Sequence, residues 1–293
     1  MYSMSNFMFM AALITAIIAT IFYAVFIFYR RRVTVAGMAT NAGTVGRRSV
    51  VTEKPSSSVG MMGTMFAIFT FVFLTLSMVF RAILTGHGPF SNMFEFSVSF
   101  AWGIVLAYLY VEARYRMRVL GVVVMPWAVA LLAYAAFIPR DANPLVPALQ
   151  NSLLLTVHVA VAIISYGCFA VAFGTAVLYL IQKRIRSSAL PRAEVLDEVG
   201  YRTVMIGFPF MALVIILGAL WADVAWGTYW SWDPKETASL VTWLLYGGYL
   251  HARVMRGWRG TRSAVLLLIG FGLTLFTFFG NLFFSGLHAY AGT

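Results

Sequence analysis

Residues 152–182 read SLLLTVHVAVAIISYGCFAVAFGTAVLYLIQ, a run with no Asp, Glu, Lys or Arg, no strong helix breaker and one histidine, His158. As a helix rising about 1.5 Å per residue it extends roughly 46 Å, whereas the hydrocarbon core of a bilayer is about 30 Å thick. The run therefore predicts a membrane-crossing helix with length to spare. If its C-terminal end stops before Lys183, the surplus carries His158 to or beyond the opposite membrane boundary.

The rest of the chain repeats this character. Of its 293 residues, 61% are hydrophobic and 11% charged, at a mean hydropathy of +0.85. A soluble domain of this length has no interior large enough to hide so much apolar surface. Apolar runs at 6–29, 61–80, 93–111, 119–138, 152–182, 203–222, 235–251 and 263–286 predict eight spans, hence an all-α, polytopic transmembrane helical bundle. The basic residues orient it. All but three of the 21 Lys and Arg follow the first, third, fifth and seventh spans; Arg81, Arg140 and Lys235 are the exceptions. Four basic loops then face the cytoplasm or stroma and both termini face outward, in a bacterial plasma membrane or a thylakoid membrane.

The net charge of +11 is spread over these membrane-flanking loops, so topology accounts for it and nucleic-acid binding is not expected. The first run lacks a basic leader and is long, so it reads as a retained anchor and not a cleaved signal. Residues 1–60 comprise this anchor and a small, polar linker (33–60). Residues 61–293 comprise one membrane domain, with an external aromatic loop around 221–237. A short surface helix is expected near Pro191. Cys168 is the only cysteine, which excludes a disulfide framework, a Cys-x-x-Cys redox pair and a zinc cluster within the chain.

On this topology three of the four histidines share the outer face: His87 after span 2, His158 near the outer end of span 5, and His288 just beyond span 8. His251 closes span 7 on the inner side. A histidine at a helix end can simply meet water. Two imidazoles at one height on separate helices can also approach a flat ligand from opposite sides, and His158 with His288 suit that arrangement. His251 reads either as a helix end at the interface or as a ligand, and His87 as a loop residue.

Between spans 6 and 7 lies WGTYWSWDPKET, residues 226–237. Its second half is a helix start: Asp233 as N-cap, Pro234 at the first helical position and Glu236 three after the cap. Asn92 and Glu95 repeat the device at span 3, so neither glutamate is read as catalytic. The cap does not explain the tryptophans. An interfacial belt scatters its aromatics among many spans, whereas Trp221, Trp226, Tyr229, Trp230, Trp232 and Trp243 concentrate around one loop. In a helical segment Trp226, Tyr229 and Trp230 share a face and form a platform for a flat apolar ligand. Belt and platform both fit the residues.

The segment resembles the tryptophan-rich "WWD" segment of the haem-handling membrane proteins of cytochrome c biogenesis, and most of all the CcsA/ResC family of the system II pathway. GHGPFSNMFEF, LTVHVAVAIISYG, YLHARVMRGWRG and NLFFSGLHAY resemble further segments of that family, so the likeness covers roughly residues 85–293. It implies that Trp226, Tyr229, Trp230, Trp232 and Asp233 form a haem-binding loop. By motif position, His158 and His288 correspond to the axial ligands of haem b, and His251 to a histidine associated with haem passage from the inner side. It also implies a partner of the CcsB/ResB type, absent from this chain, and an apocytochrome c substrate whose Cys-x-x-Cys-His thiols are kept reduced by a separate pathway.

The reaction so implied is thioether formation between haem vinyl groups and substrate thiols. It requires no catalytic side chain from this protein, only binding, orientation and control of the iron. Lys235, or the N-terminus of the helix it begins, suits a haem propionate; Lys235 can equally pair with Asp233 or Glu236. The competing expectations are a haem exporter or chaperone without ligation activity, and a cytochrome b-type electron carrier.

Overall fold

The computed structural model describes residues 1–39, 57–141, 152–280, 283–284 and 286–287. Among them are eight α-helices and no strand: α1 (Tyr2–Ala39), α2 (Ser57–Thr85), α3 (Met93–Tyr115), α4 (Gly121–Phe137), α5 (Ser152–Ile185), α6 (Ala193–Trp226), α7 (Pro234–Arg256) and α8 (Thr261–Phe279). One helix stands for each expected span. A 3₁₀ turn at Arg118–Leu120 leads into α4.

Boundaries differ where local signals compete. No separate surface helix follows Pro191; the chain enters α6 at Ala193 and continues unbroken to Trp226, because Glu194, Asp197 and Glu198 extend an amphipathic turn that the apolar run simply prolongs. The expected last span, 263–286, ends as a helix at Phe279. The expected linker begins as a continuation of α1, which runs to Ala39; residues 40–56 lie outside the described residues.

Seven of the eight helices are long and apolar enough to cross a membrane; α7 is not. The reason is composition: Lys235, Glu236, Arg253, Arg256 and several hydroxyl-bearing residues interrupt its apolar run. Its buried stripe is Ala238, Ser239, Thr242, Tyr246, Tyr249 and Arg253, while Val241, Leu244, Val254 and Met255 point outward. Polar groups thus turn toward neighbouring helices and apolar ones toward the surroundings, the arrangement expected of polar residues within a bilayer. Thr242 and Thr277 meet across α7 and α8 at 3.2 Å. Arg253, expected among the free loop cations, is buried. It donates to Asp197 at 2.7 Å and Glu198 at 3.3 Å, tying the start of α6 to the end of α7.

α1 and α2 pack as a pair joined by Ser5–Ser77 and Thr15–Thr70 hydrogen bonds. Glu112 of α3 fastens this pair to the bundle, accepting hydrogen bonds from Tyr23 at 2.8 Å, Tyr108 at 2.5 Å and Thr64. At the other end, Asn92 caps α3 by accepting from the Glu95 amide at 3.0 Å. The Glu95 carboxylate pairs with buried Arg81 and accepts from the Ser91 amide and hydroxyl.

Candidate functional site: an aromatic cleft between α3, α5, α6 and α7

The cleft begins where α6 stops. Gly227, at φ 74°, takes the left-handed conformation that ends a helix without steric cost, and its amide returns to Asp223 O at 2.8 Å. Residues 228–233 are therefore non-helical, and the expectation that Trp226, Tyr229 and Trp230 share a helical face is overturned. The helix restarts through a complete capping box. Asp233 accepts from the Lys235 amide at 2.9 Å, and Glu236 accepts from the Asp233 amide at 3.2 Å. Glu236 also accepts from the Ser231 amide at 2.9 Å. One carboxylate thus braces two residues of the aromatic loop, Ser231 and Asp233. Trp232, just before the cap, sits at φ 59°, a conformation costing a bulky residue about 1–3 kcal/mol.

Between this loop and the helices opens a cleft of about 930 Å³, its mouth included. Tyr229 and Trp230 of the loop line it, with Lys235 and Glu236 of α7, His158 of α5, and Gly218 and Trp221 of α6. Met93, Phe96 and Phe100 of α3 form the facing wall. The floor is aromatic: Phe100 stacks on Tyr166 at 5.2 Å and meets Phe278 edge-on at 4.9 Å. Walls of this kind suit a flat apolar body, with His158 and Lys235 as the polar contacts.

The imidazole of His158 lies parallel to the Trp221 indole, 6.5 Å between centres and 13° between planes. Trp226 meets Trp221 edge-on at 4.7 Å from outside the cleft. Trp232 stands edge-on to Trp230 at 5.7 Å and is 69% exposed, so it too lies outside the lining. Asp233 is buried at the base of the loop.

The three cations expected on this side separate clearly. Arg81 is committed to Glu95 and to the carbonyls of Arg140 and Asp141, both at 2.7 Å. Arg140 lies over the rings of Phe9 and Phe94. Lys235 alone of the three lines the cleft, its ammonium 5.5 Å from the centre of the Phe96 ring. Among the described residues no carboxylate lies within ion-pair distance of it, although the Asp233 charge acts on the ammonium electrostatically.

The histidines separate as well. His87 is half-buried, its Nδ1 2.8 Å from Gly88 O. His251 is exposed on the outward face of α7 and does not enter the cleft. His288 lies outside the described residues. Gly286, two residues before it, is described, and it abuts the loop base so closely that a Cβ there would collide with the Asp233 carboxylate.

Sequence reasoning did not assign Gly218, Phe96, Phe100, Tyr166 or Trp221 to a site. Trp221 carried a signal, as part of the aromatic concentration. The α3 residues carried none, because their approach to the loop is set by how the helices assemble.

Known proteins with similar sequences now bear on the site. A family model described as cytochrome C assembly protein matches residues 90–288. The chain is 36% identical over 257 residues to the cytochrome c biogenesis protein CcsA of Prochlorococcus marinus (strain MIT 9515), covering 77% of this chain and 82% of that one. It is 35% identical over 260 residues to CcsA of Guillardia theta, covering 79% and 85%. Among solved structures, the cytochrome c haem lyase CcmF shares the fold at a TM-score of 0.63 and 18% identity, over 94% of this chain and 46% of that one. The matched region contains the whole cleft, and the protein accordingly belongs to the CcsA family of cytochrome c biogenesis proteins, an integral membrane protein with a role in cytochrome c maturation.

Proposed function

We propose that this protein is the haem-handling subunit of a system II holocytochrome c synthase. It holds haem b in the aromatic cleft at the outer face of a plasma or thylakoid membrane. There it presents the vinyl groups to the Cys-x-x-Cys-His segment of an apocytochrome c, beside a CcsB/ResB-type partner. The observation that carries this reading is the convergence of His158 of α5, Trp221 of α6, Tyr229 and Trp230 of the loop, and Lys235 of α7 on one cleft lined largely by aromatic rings.

Each residue has a distinct task. Tyr229 and Trp230 supply flat apolar surface for the porphyrin. Lys235, at the positive end of α7, takes a propionate, where ammonium and helix dipole act in the same direction. His158 and His288 would hold the haem iron. The second assignment rests on motif position, since His288 lies outside the described residues. Held by both histidines, the iron would be shielded from adventitious oxidation. In ligation, a substrate thiol adds across a vinyl double bond: a carbon–sulfur bond forms and the thiol proton passes to the other vinyl carbon. Nothing is oxidised, and no nucleophile is required of this protein. Its contribution is orientation. The substrate histidine would then take over from one of these two histidines.

The test is ligand replacement in the chain coexpressed with its partner and an apocytochrome. His158→Gly and His288→Gly each lower haem retention and alter the absorption spectrum, and added imidazole partly restores both. Unchanged haem content and spectra in both variants reject the ligand pair. Covalent haem on the cytochrome separates a synthase from an exporter that only delivers haem.

A further inference from the structure

α5 and α6 pack along a seam whose register is set by three glycines of α6. Gly200 lies against Thr175, Gly207 against Cys168 and Gly218 against His158, so the helices run antiparallel and step together. The spacings of seven and eleven residues keep all three glycines on one face, being close to whole numbers of turns. Ser165 pins the middle of the seam by donating to Gly207 O at 3.0 Å. None of this requires a histidine at the cleft end. A Cβ on Gly218, however, would stand 2.9 Å from Cε1 of His158 and 3.3 Å from Nδ1. The first distance is closer than real contacts allow, and the neighbour that would have to yield is the imidazole itself. Trp221, one turn further along the same face of α6, lies parallel to that ring.

We infer that Gly218 and Trp221 together form the seat that orients His158 in the cleft, making them positioning residues for whatever the imidazole ligates. This rests on the reading of His158 as an iron ligand given above. Gly218 lets the ring approach the α6 backbone, and the indole fixes the plane in which it lies. A ligand imidazole must aim a nitrogen lone pair along one direction. Either change therefore acts on the quality of ligation while leaving the ligand present.

The experiment is titration of haem b into the purified full-length chain, followed by absorption and electron paramagnetic resonance spectra. Gly218→Ala displaces the ring by a few tenths of an ångström. It is expected to weaken haem binding about tenfold and to convert part of the six-coordinate, low-spin signal to high-spin. Added imidazole restores the low-spin signal. Trp221→Leu, which removes the flat face without filling the glycine gap, shifts the spectrum the same way. Gly207→Ala strains the same seam away from His158 and is the control, expected to lower thermal stability and leave the spectrum alone. Parental spectra in both Gly218→Ala and Trp221→Leu overturn the seat, as does an equal spectral change in Gly207→Ala. Should Gly218→Ala fail to accumulate in membranes, Trp221→Leu against Gly207→Ala decides alone. His158→Gly separates the two levels of the argument. If it abolishes the low-spin signal while the α6 variants do not alter it, only the seat fails; if it changes nothing, the ligand reading itself falls.

Discussion

Arg81 donates from Nε to the Glu95 carboxylate at 2.5 Å, with both side chains almost wholly excluded from solvent. The same guanidinium donates to the carbonyls of Arg140 and Asp141, so one ion pair joins the end of α2, the start of α3 and the segment after α4. Glu95→Ala would leave the guanidinium buried and uncompensated, a loss of about 3–5 kcal/mol. Thermal unfolding of the detergent-solubilised protein should show it as a large fall in Tm. Neither residue lines the cleft, so the haem spectrum of the fraction that folds should be parental.

Glu236 lines the cleft, yet its oxygens are occupied in accepting from Ser231 and Asp233. It therefore acts as a brace and not as an acid. Glu236→Gln keeps an acceptor oxygen and should retain most haem binding and cytochrome yield. Glu236→Ala removes the brace and a cap interaction worth about 1 kcal/mol, and should lose haem along with loop order. A haem titration of both variants checks the split; equal loss in the two would point to the charge instead.

Lys235 is the cation that the fold leaves for the cleft. A charge-assisted hydrogen bond contributes about 1.5–3 kcal/mol, so Lys235→Met should weaken haem binding on the order of tenfold to a hundredfold. The discriminating probe is haem with esterified propionates. The parental chain should bind it less tightly than haem, and Lys235→Met should bind the two alike.

The tryptophans should not behave alike. Trp230 lines the cleft whereas Trp232 is largely exposed and in a strained backbone conformation. Trp230→Ala should reduce haem retention several-fold more than Trp232→Ala, measured as the haem-to-protein ratio after purification.

His251 is exposed on the face of α7 that carries Leu244 and Met255, directed away from the cleft. If it ligates haem in transit, the second ligand comes from a neighbouring chain. His251→Ala should then lower haem copurifying from cells that contain the partner, and leave haem binding by the isolated chain unchanged. Equal haem loading in cells rejects the transit role.

The parts of this protein that were legible in the sequence are those governed by local chemistry. The long apolar run around His158 specified a helix longer than a bilayer, because length and hydropathy suffice for that. Asn92 with Glu95, and Asp233 with Glu236, could be read as caps, because an N-cap is a contact between residues three apart. The concentration of tryptophans marked the loop. Its conformation was not legible: the helical platform expected for Trp226, Tyr229 and Trp230 is broken by Gly227, whose left-handed turn ends α6 one residue after Trp226.

By itself the sequence determined the helices, the ends that cap them and the family, since each follows from contacts within a few residues or from motif order. Only the tertiary structure decided which groups meet. It buried Arg253 against Asp197, turned the polar stripe of α7 inward, held Trp232 outside the cleft and brought Phe96 of α3 beside Lys235 of α7. It also set His158 against Gly218, a pairing that depends on the register of two antiparallel helices. No local pattern encodes that register. It follows from close packing of side chains far apart in the chain, which has only a few mutually compatible solutions.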